Sequence, residues 1–111
     1  MEIKTEQRCA VTLVRPDGPL TGEESDALKS KMLELIEENL GRVVLDATDI
    51  AYADSRGLER LVEVSQQLSQ AGKALKLCAV NETLQQVLEL TDLSSQFEQF
   101  EDANSAIRSF L

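Results

Sequence analysis

The chain contains no histidine, no tryptophan and only two cysteines among its 111 residues. The missing imidazole removes the most chemistry. Histidine-based general acid–base catalysis is excluded, and so is activation of a serine or cysteine nucleophile by a neighbouring histidine. Histidine-containing zinc sites go with it, and two thiols cannot complete an all-thiolate site. Cys9 and Cys78 show no CxxC pairing, and each falls within a strand-like run. Both are expected as buried free thiols in a reducing compartment. No glycine-rich phosphate loop is present, so neither an enzyme activity nor a cofactor is expected.

Long apolar stretches are also missing. The hydrophobic runs are a few residues each, far short of a bilayer span, so no membrane insertion is expected. The opening Met1-Glu2-Ile3-Lys4 reads as a charged strand start and not as a signal peptide, which predicts a cytoplasmic protein. Basic residues are scarce, 11 against 20 acidic, for a net charge of −9. A phosphate backbone would be repelled by that balance, which argues against nucleic acid and for a partner with a basic face. Aromatics make up 4% of the chain, so Leu, Val, Ile and Ala must fill the core.

What remains is ordinary globular composition, with a length that suits one domain over residues 1–111. Ile3 and Thr5, then Cys9, Val11 and Leu13, alternate with polar or small residues as strands do. The polar step Glu6-Gln7-Arg8 suggests the turn of an opening hairpin, and Pro16-Asp17-Gly18-Pro19 the end of its second strand. Thr21-x-x-Glu24 has capping-box spacing before a helix carrying Leu28, Met32, Leu35, Ile36 and Leu40, stopped by Gly41. Val43 to Asp46 is a buried-type strand, and Ala47 to Asp54 a loop. A second helix from Ser55 carries Leu58, Leu61, Val62, Ser65, Leu68 and Ala71 on one face, ending at Gly72. Leu75 to Val80 is another buried strand. Asn81 caps a helix with Leu84, Val87, Leu88 and Thr91, Phe97 and Phe100 flank a last strand, and Asp102 opens a final helix with Ala106, Ile107 and Phe110. The order ββαβαβαβα predicts an α/β fold with a mixed central β-sheet and helices packed mainly on one side.

The stretch Val43-Val44-Leu45-Asp46-Ala47-Thr48-Asp49-Ile50-Ala51-Tyr52-Ala53-Asp54-Ser55-Arg56-Gly57-Leu58 is more specific. It resembles the STAS domain, the family of sulfate transporters and anti-sigma factor antagonists. There a buried strand ending in Asp leads through a loop to Asp-Ser-Ser-Gly-Leu at a helix start. The hairpin start, the strand Leu75 to Ala79, the run Val87-Leu88-Glu89-Leu90-Thr91-Asp92-Leu93 and the C-terminal Phe97-x-x-Phe100 pattern extend the resemblance over nearly the whole chain. It implies a single STAS-like domain in which Ser55 is the residue phosphorylated by a cognate anti-sigma factor kinase. Asp54, Ser55, Arg56, Gly57 and Leu58 would then form the partner-binding segment. Two departures stand out: Arg56 replaces the second small residue, and Gly18-Pro19-Leu20-Thr21 lacks the carboxylate of the family's Gly-Glu-Leu-Asp.

Each of these residues also has a plainer reading. Ser55 can serve as the helix N-cap and Asp54 as a loop carboxylate or second cap. Gly57 allows close approach of another backbone, either the partner's or a neighbouring helix. Arg56 is either a solvated surface cation or a counter-charge for a phosphate on Ser55 or an acidic partner group. At the level of the protein, a fixed scaffold subunit in a signalling assembly or bacterial lipid transporter competes with the switch. A receiver domain phosphorylated on Asp46 is disfavoured, because Met1 to Val14 lacks the acidic pair that holds magnesium and no lysine closes a late strand.

Overall fold

A computed structural model describes residues 1–111. Five strands and four helices follow one another as β1 (Glu2–Arg8), β2 (Val11–Asp17), α1 (Gly22–Glu38), β3 (Val43–Asp46), α2 (Ser55–Ser69), β4 (Leu75–Cys78), α3 (Glu82–Leu90), β5 (Phe97–Phe100) and α4 (Ala103–Arg108). The strands lie in the sheet in chain order. β1 and β2 pair antiparallel, and every later neighbour is parallel. This is the expected mixed sheet. No helix is long and apolar enough to cross a membrane.

Alternation along the strands splits the core in two. Val14, Val43, Leu45, Leu75 and Leu77 face a large cluster with Leu28, Met32 and Leu35 of α1, Leu58, Leu61, Val64 and Leu68 of α2, and Leu84 and Leu88 of α3. Val11, Leu13, Val44 and Cys78 point the other way, against Ala106 and Ile107 of α4. Three helices thus cover one face and one short helix the other. Each fully buried Leu or Val contributes about 1.5–3 kcal/mol, so the larger cluster dominates stability.

Several local expectations are corrected. The hairpin turn is Cys9-Ala10, with φ of 51° and 65°, and Glu6-Gln7-Arg8 belong to β1. A two-residue turn with both φ positive normally asks for Asn-Gly, so Cys-Ala carried no turn signal. Cys9 is consequently exposed rather than buried, whereas Cys78 is buried as expected. Strand β2 runs on through Pro16 and Asp17, which pair with Ile3 and Glu2. Its parallel ladder to β3 covers only Thr12–Val14, so the missing proline N–H interrupts nothing there.

Thr21 does sit at the N-cap of α1, but its side chain makes no capping bond, and Glu24 instead receives the N-terminal ammonium at 3.2 Å. Leu40 lies past the helix in a left-handed turn (φ 56°) and is exposed. On α2 the buried stripe is Leu58, Leu61, Val64, Ser65 and Leu68; Val62 is only half-buried, and Ala71 lies beyond the helix end. Phe97 and Phe100 are the first and last residues of β5 and do not flank it. The caps at Asn81 and Asp102 are as expected: Asn81 accepts from Leu84 N–H at 2.7 Å and Asp102 from Ser105 N–H at 2.8 Å.

Candidate functional site

The loop from Ala47 to Asp54 carries the chain from the end of β3 to the start of α2. It is pinned at several points. Asp46, buried at the strand end, accepts from the Thr48 N–H at 3.0 Å and from the Thr48 hydroxyl. The side chain that a receiver would phosphorylate is therefore turned onto its own loop. Ile50 is fully buried, and Asn81 at the start of α3 donates to the carbonyls of Ile50 and Ala51, both at 3.1 Å. A one-residue parallel bridge joins Leu20 to Ala53, with Leu20 N–H on Tyr52 O and Asp54 N–H on Leu20 O, each at 3.0 Å.

Asp54, not Ser55, is the N-cap of α2. One carboxylate oxygen accepts from the Gly57 N–H at 2.8 Å and the other from the Gly22 N–H at 3.2 Å, so a single side chain ties the starts of α2 and α1 together. With both oxygens engaged, Asp54 is a positioning group. Ser55 is the first helical residue, exposed, and its hydroxyl is not the capping group. A helix N-terminus tolerates an added anion, because free N–H groups and the dipole favour negative charge.

Gly57 is buried against the chain just before α1. A Cβ there would collide with the Leu20 carbonyl oxygen, so the close approach it permits within the chain is to the β2–α1 connection and not to a neighbouring helix. Leu58 belongs to the core but also floors an open groove of about 410 Å³ lined by Ser55, Glu59, Val62, Glu63, Thr91 and Leu93. Of the segment expected to meet a partner, Asp54, Ser55 and Arg56 are exposed while Gly57 and Leu58 are buried behind them.

Arg56 is neither freely solvated nor aimed at Ser55. Its guanidinium forms an ion pair with Asp26 of α1, which also receives Arg60 Nε at 2.8 Å. Arg60 in turn pairs with Glu63, and Lys29 reaches Glu63 at 2.6 Å. The Asp26 carboxyl is held below its usual range chiefly by the Arg60 hydrogen bond and then by that of Arg56, and the Arg56 guanidinium is raised by Asp26 in return. These groups are exposed, so the shifts mark the geometry of a surface network and not a large stability term.

Sequence reading missed Asp26, Tyr52 and the groove walls Thr91 and Leu93 as neighbours of this site. Tyr52, the only tyrosine, is 52% exposed three residues before Ser55, and its position in the motif loop was the one available signal. No three metal-ligating side chains converge anywhere in the chain.

Comparison with known proteins bears on the fold and the family. The chain is 27% identical over 94 residues to the anti-sigma F factor antagonist of Paenibacillus polymyxa, covering 84% of this chain and 80% of the relative. Among solved structures, a Thermotoga maritima candidate anti-sigma factor antagonist superposes with a TM-score of 0.87 at 20% identity, over 96% of this chain and 92% of that one. The antagonist SpoIIAA in its unphosphorylated form gives 0.76 at 14% identity, over 98% and 96%; its Bacillus phosphorylated form gives 0.69. The fold also occurs within the murine anion transporter Slc26a9, with a TM-score of 0.69 at 17% identity, where 95% of this chain covers 18% of the transporter. At these identities the structures establish the fold alone. The STAS domain profile matches residues 2–106, through all five strands and into the last helix, and the chain therefore belongs to the STAS domain family.

Proposed function

We propose that this protein is a phosphorylation-controlled binding module of the anti-sigma factor antagonist type, which binds an anti-sigma factor with serine kinase activity while Ser55 is unphosphorylated. The observation that carries the reading is the exposed Ser55 hydroxyl at the first position of α2, free of capping duty because Asp54 performs it. The partner's ATP supplies the phosphoryl group, the Ser55 oxygen receives it as its hydroxyl proton passes to the kinase, and ADP leaves. This chain is then the substrate and not the enzyme, needs no cofactor, and works in the cytoplasm beside that kinase.

The contact surface is built from Asp54, Ser55 and Arg56, with exposed Tyr52 on one side and the groove over Leu58 on the other. Gly57 and Leu58 contribute by holding that surface in place. Glu59 on the groove wall suits a basic partner face, in keeping with the net charge of −9. Phosphorylation adds about −1.5 to −2 charge units on this acidic rim, and a partner lying flat over it would have to desolvate the anion. Binding is lost without refolding.

Titration of the Ser55 variants against the cognate kinase is the test. Ser55→Ala retains binding, since an exposed first-turn serine away from the cap costs within about 0.5 kcal/mol to replace. Ser55→Asp weakens binding while its melting temperature stays near the parent's, because a first-turn carboxylate suits the helix dipole. Equal binding by both variants, with the kinase labelling another residue, would refute the switch. Retention of an ATPase or scaffold partner by both would then favour a fixed subunit, a role compatible with the fold's presence inside a transporter.

A further inference from the structure

The end of the sheet remote from Ser55 carries a second concave site of opposite charge. Arg42 leads into β3 and Lys73 and Ala74 into β4, so this site lies at the starts of the parallel strands, whereas the Ser55 loop leaves from the end of β3. A cleft of about 370 Å³ opens there between the turns at Gly41 and Gly72, the strand residues Lys76 and Glu98, and the C-terminal Ser109 and Phe110. Three of the chain's 11 basic residues line it, against one carboxylate.

Arg42 and Lys73 have no carboxylate partner and Lys76 only a long one, in contrast to five of the other eight basic residues. Arg8, Arg15, Lys29, Arg56 and Arg60 pair with carboxylates within 3.1 Å, or closer. In the cleft, Arg42 Nε donates to the Ala10 carbonyl at 3.0 Å and Lys73 Nζ to the Leu40 carbonyl at 2.9 Å. Lys76 Nζ donates to the Ser109 hydroxyl at 2.6 Å and lies 3.7 Å from the Phe110 ring centre. Its side chain is 12% exposed, and the Glu98 carboxylate is 3.9 Å away and itself half exposed. Neutral acceptors orient a cation without cancelling its charge. A concave wall with an aromatic side focuses the resulting field, and like charges sharing one mouth repel until an anion enters.

We propose that this cleft binds a small soluble phosphate dianion, free phosphate or a phosphate monoester. The guanidinium edge of Arg42 left over from Nε and the remaining ammonium protons of Lys73 and Lys76 supply charge-assisted donors, which favour phosphate oxygens over chloride. The proposal is independent of the phosphorylation of Ser55, since the two sites share no residue.

The test is a titration of isotope-labelled full chain with inorganic phosphate, followed by amide chemical shifts, beside sodium chloride at matched ionic strength. Saturable shifts are expected at Gly41, Lys73, Lys76 and Ser109 with phosphate and not with chloride. Lys73→Gln, an exposed change that the fold tolerates, should weaken the apparent affinity about tenfold, as expected for loss of one charged hydrogen bond. Lys76→Met should do the same, and the Lys73 variant decides the matter if the Lys76 variant does not fold. Equal shifts with chloride, no saturation, or unchanged affinity in Lys73→Gln would overturn the proposal. Co-sedimentation with phosphatidic acid vesicles in the absence of any phosphate-induced shift would overturn it too, in favour of a lipid headgroup. Ser55→Asp serves as the control and should leave the shifts unaltered.

Discussion

Asp54 and Gly57 show how closely the residues around Ser55 are constrained. The carboxylate of Asp54 bonds two helix starts, and the hydrogen side chain of Gly57 lets the Leu20 carbonyl pass. Gly57→Ala would force backbone to move, because the obstructing atom is a carbonyl oxygen and not a flexible side-chain end. A loss of about 1–3 kcal/mol in urea unfolding is expected, the usual range for overpacking. An unchanged midpoint would show that the β2–α1 connection yields freely. The two thiols separate just as clearly. Burial, followed by the nearby Asp46 and Asp102 charges, pushes the Cys78 thiol up to about 12, while Cys9 sits on an exposed turn. The thiolate is the reactive form, so an alkylating reagent near neutral pH should label the native protein once, on Cys9, and twice after unfolding. Mass spectrometry of the two samples checks this.

Between elements, the α1–α2 contact has an apolar interior and an ionic edge. Leu28 and Met32 meet Leu61 and Val64 inside, and Asp26 gathers Arg56 and Arg60 at the rim. Asp26 is an acid whose folded pKa lies below its ordinary 3.8. The unfolded chain therefore takes up the proton first as pH falls, and the contribution of Asp26 is present above about 4 and lost as pH drops through the folded value. Thermal melts across this acid range should show a shallower decline for Asp26→Asn than for the parent. Parallel declines would mean that other carboxylates set the acid limb. The network also explains why Arg56 is tolerated in place of a small residue: its charge is taken up by α1 without crowding Ser55.

At the scale of the whole molecule, the two faces of the sheet are unequal. Eighteen buried residues join α1, α2 and α3 to one face, whereas six join α4 to the other, and α4 is a six-residue helix. Local opening requires less free energy where fewer apolar contacts must be broken. Amides of α4 are expected to exchange with solvent well before those of β3, β4 and α2. Protection of α4 equal to that of the central strands would show that both faces open as one unit. Charge is unequal as well: the net −9 is spread widely, while Arg42, Lys73 and Lys76 collect in one cleft at the end away from Ser55.

Much of this was readable in the chain because its causes are local. Alternation announced the buried strands, the spacing of Leu58, Leu61 and Leu68 announced α2, and Asn81 and Asp102 announced helix starts through their own side chains. The Asp54-Ser55-x-Gly57-Leu58 motif gave the family by resemblance, and the profile match bears that out. The failures arose where a distant partner decides the outcome. The reading of Asp54 as a cap holds through the nearby Gly57 N–H, but its second bond comes from Gly22, far along the chain, and Thr21 makes no capping bond although its spacing suits one. Cys9 and Ala10 accept left-handed backbone because the β1–β2 register demands a two-residue turn, at a cost on the order of 1 kcal/mol each. Arg56 meets Asp26 across 30 residues, and the cationic cleft is assembled from four separate segments. Such encounters depend on how helices cross and strands end in space, which no window of sequence contains.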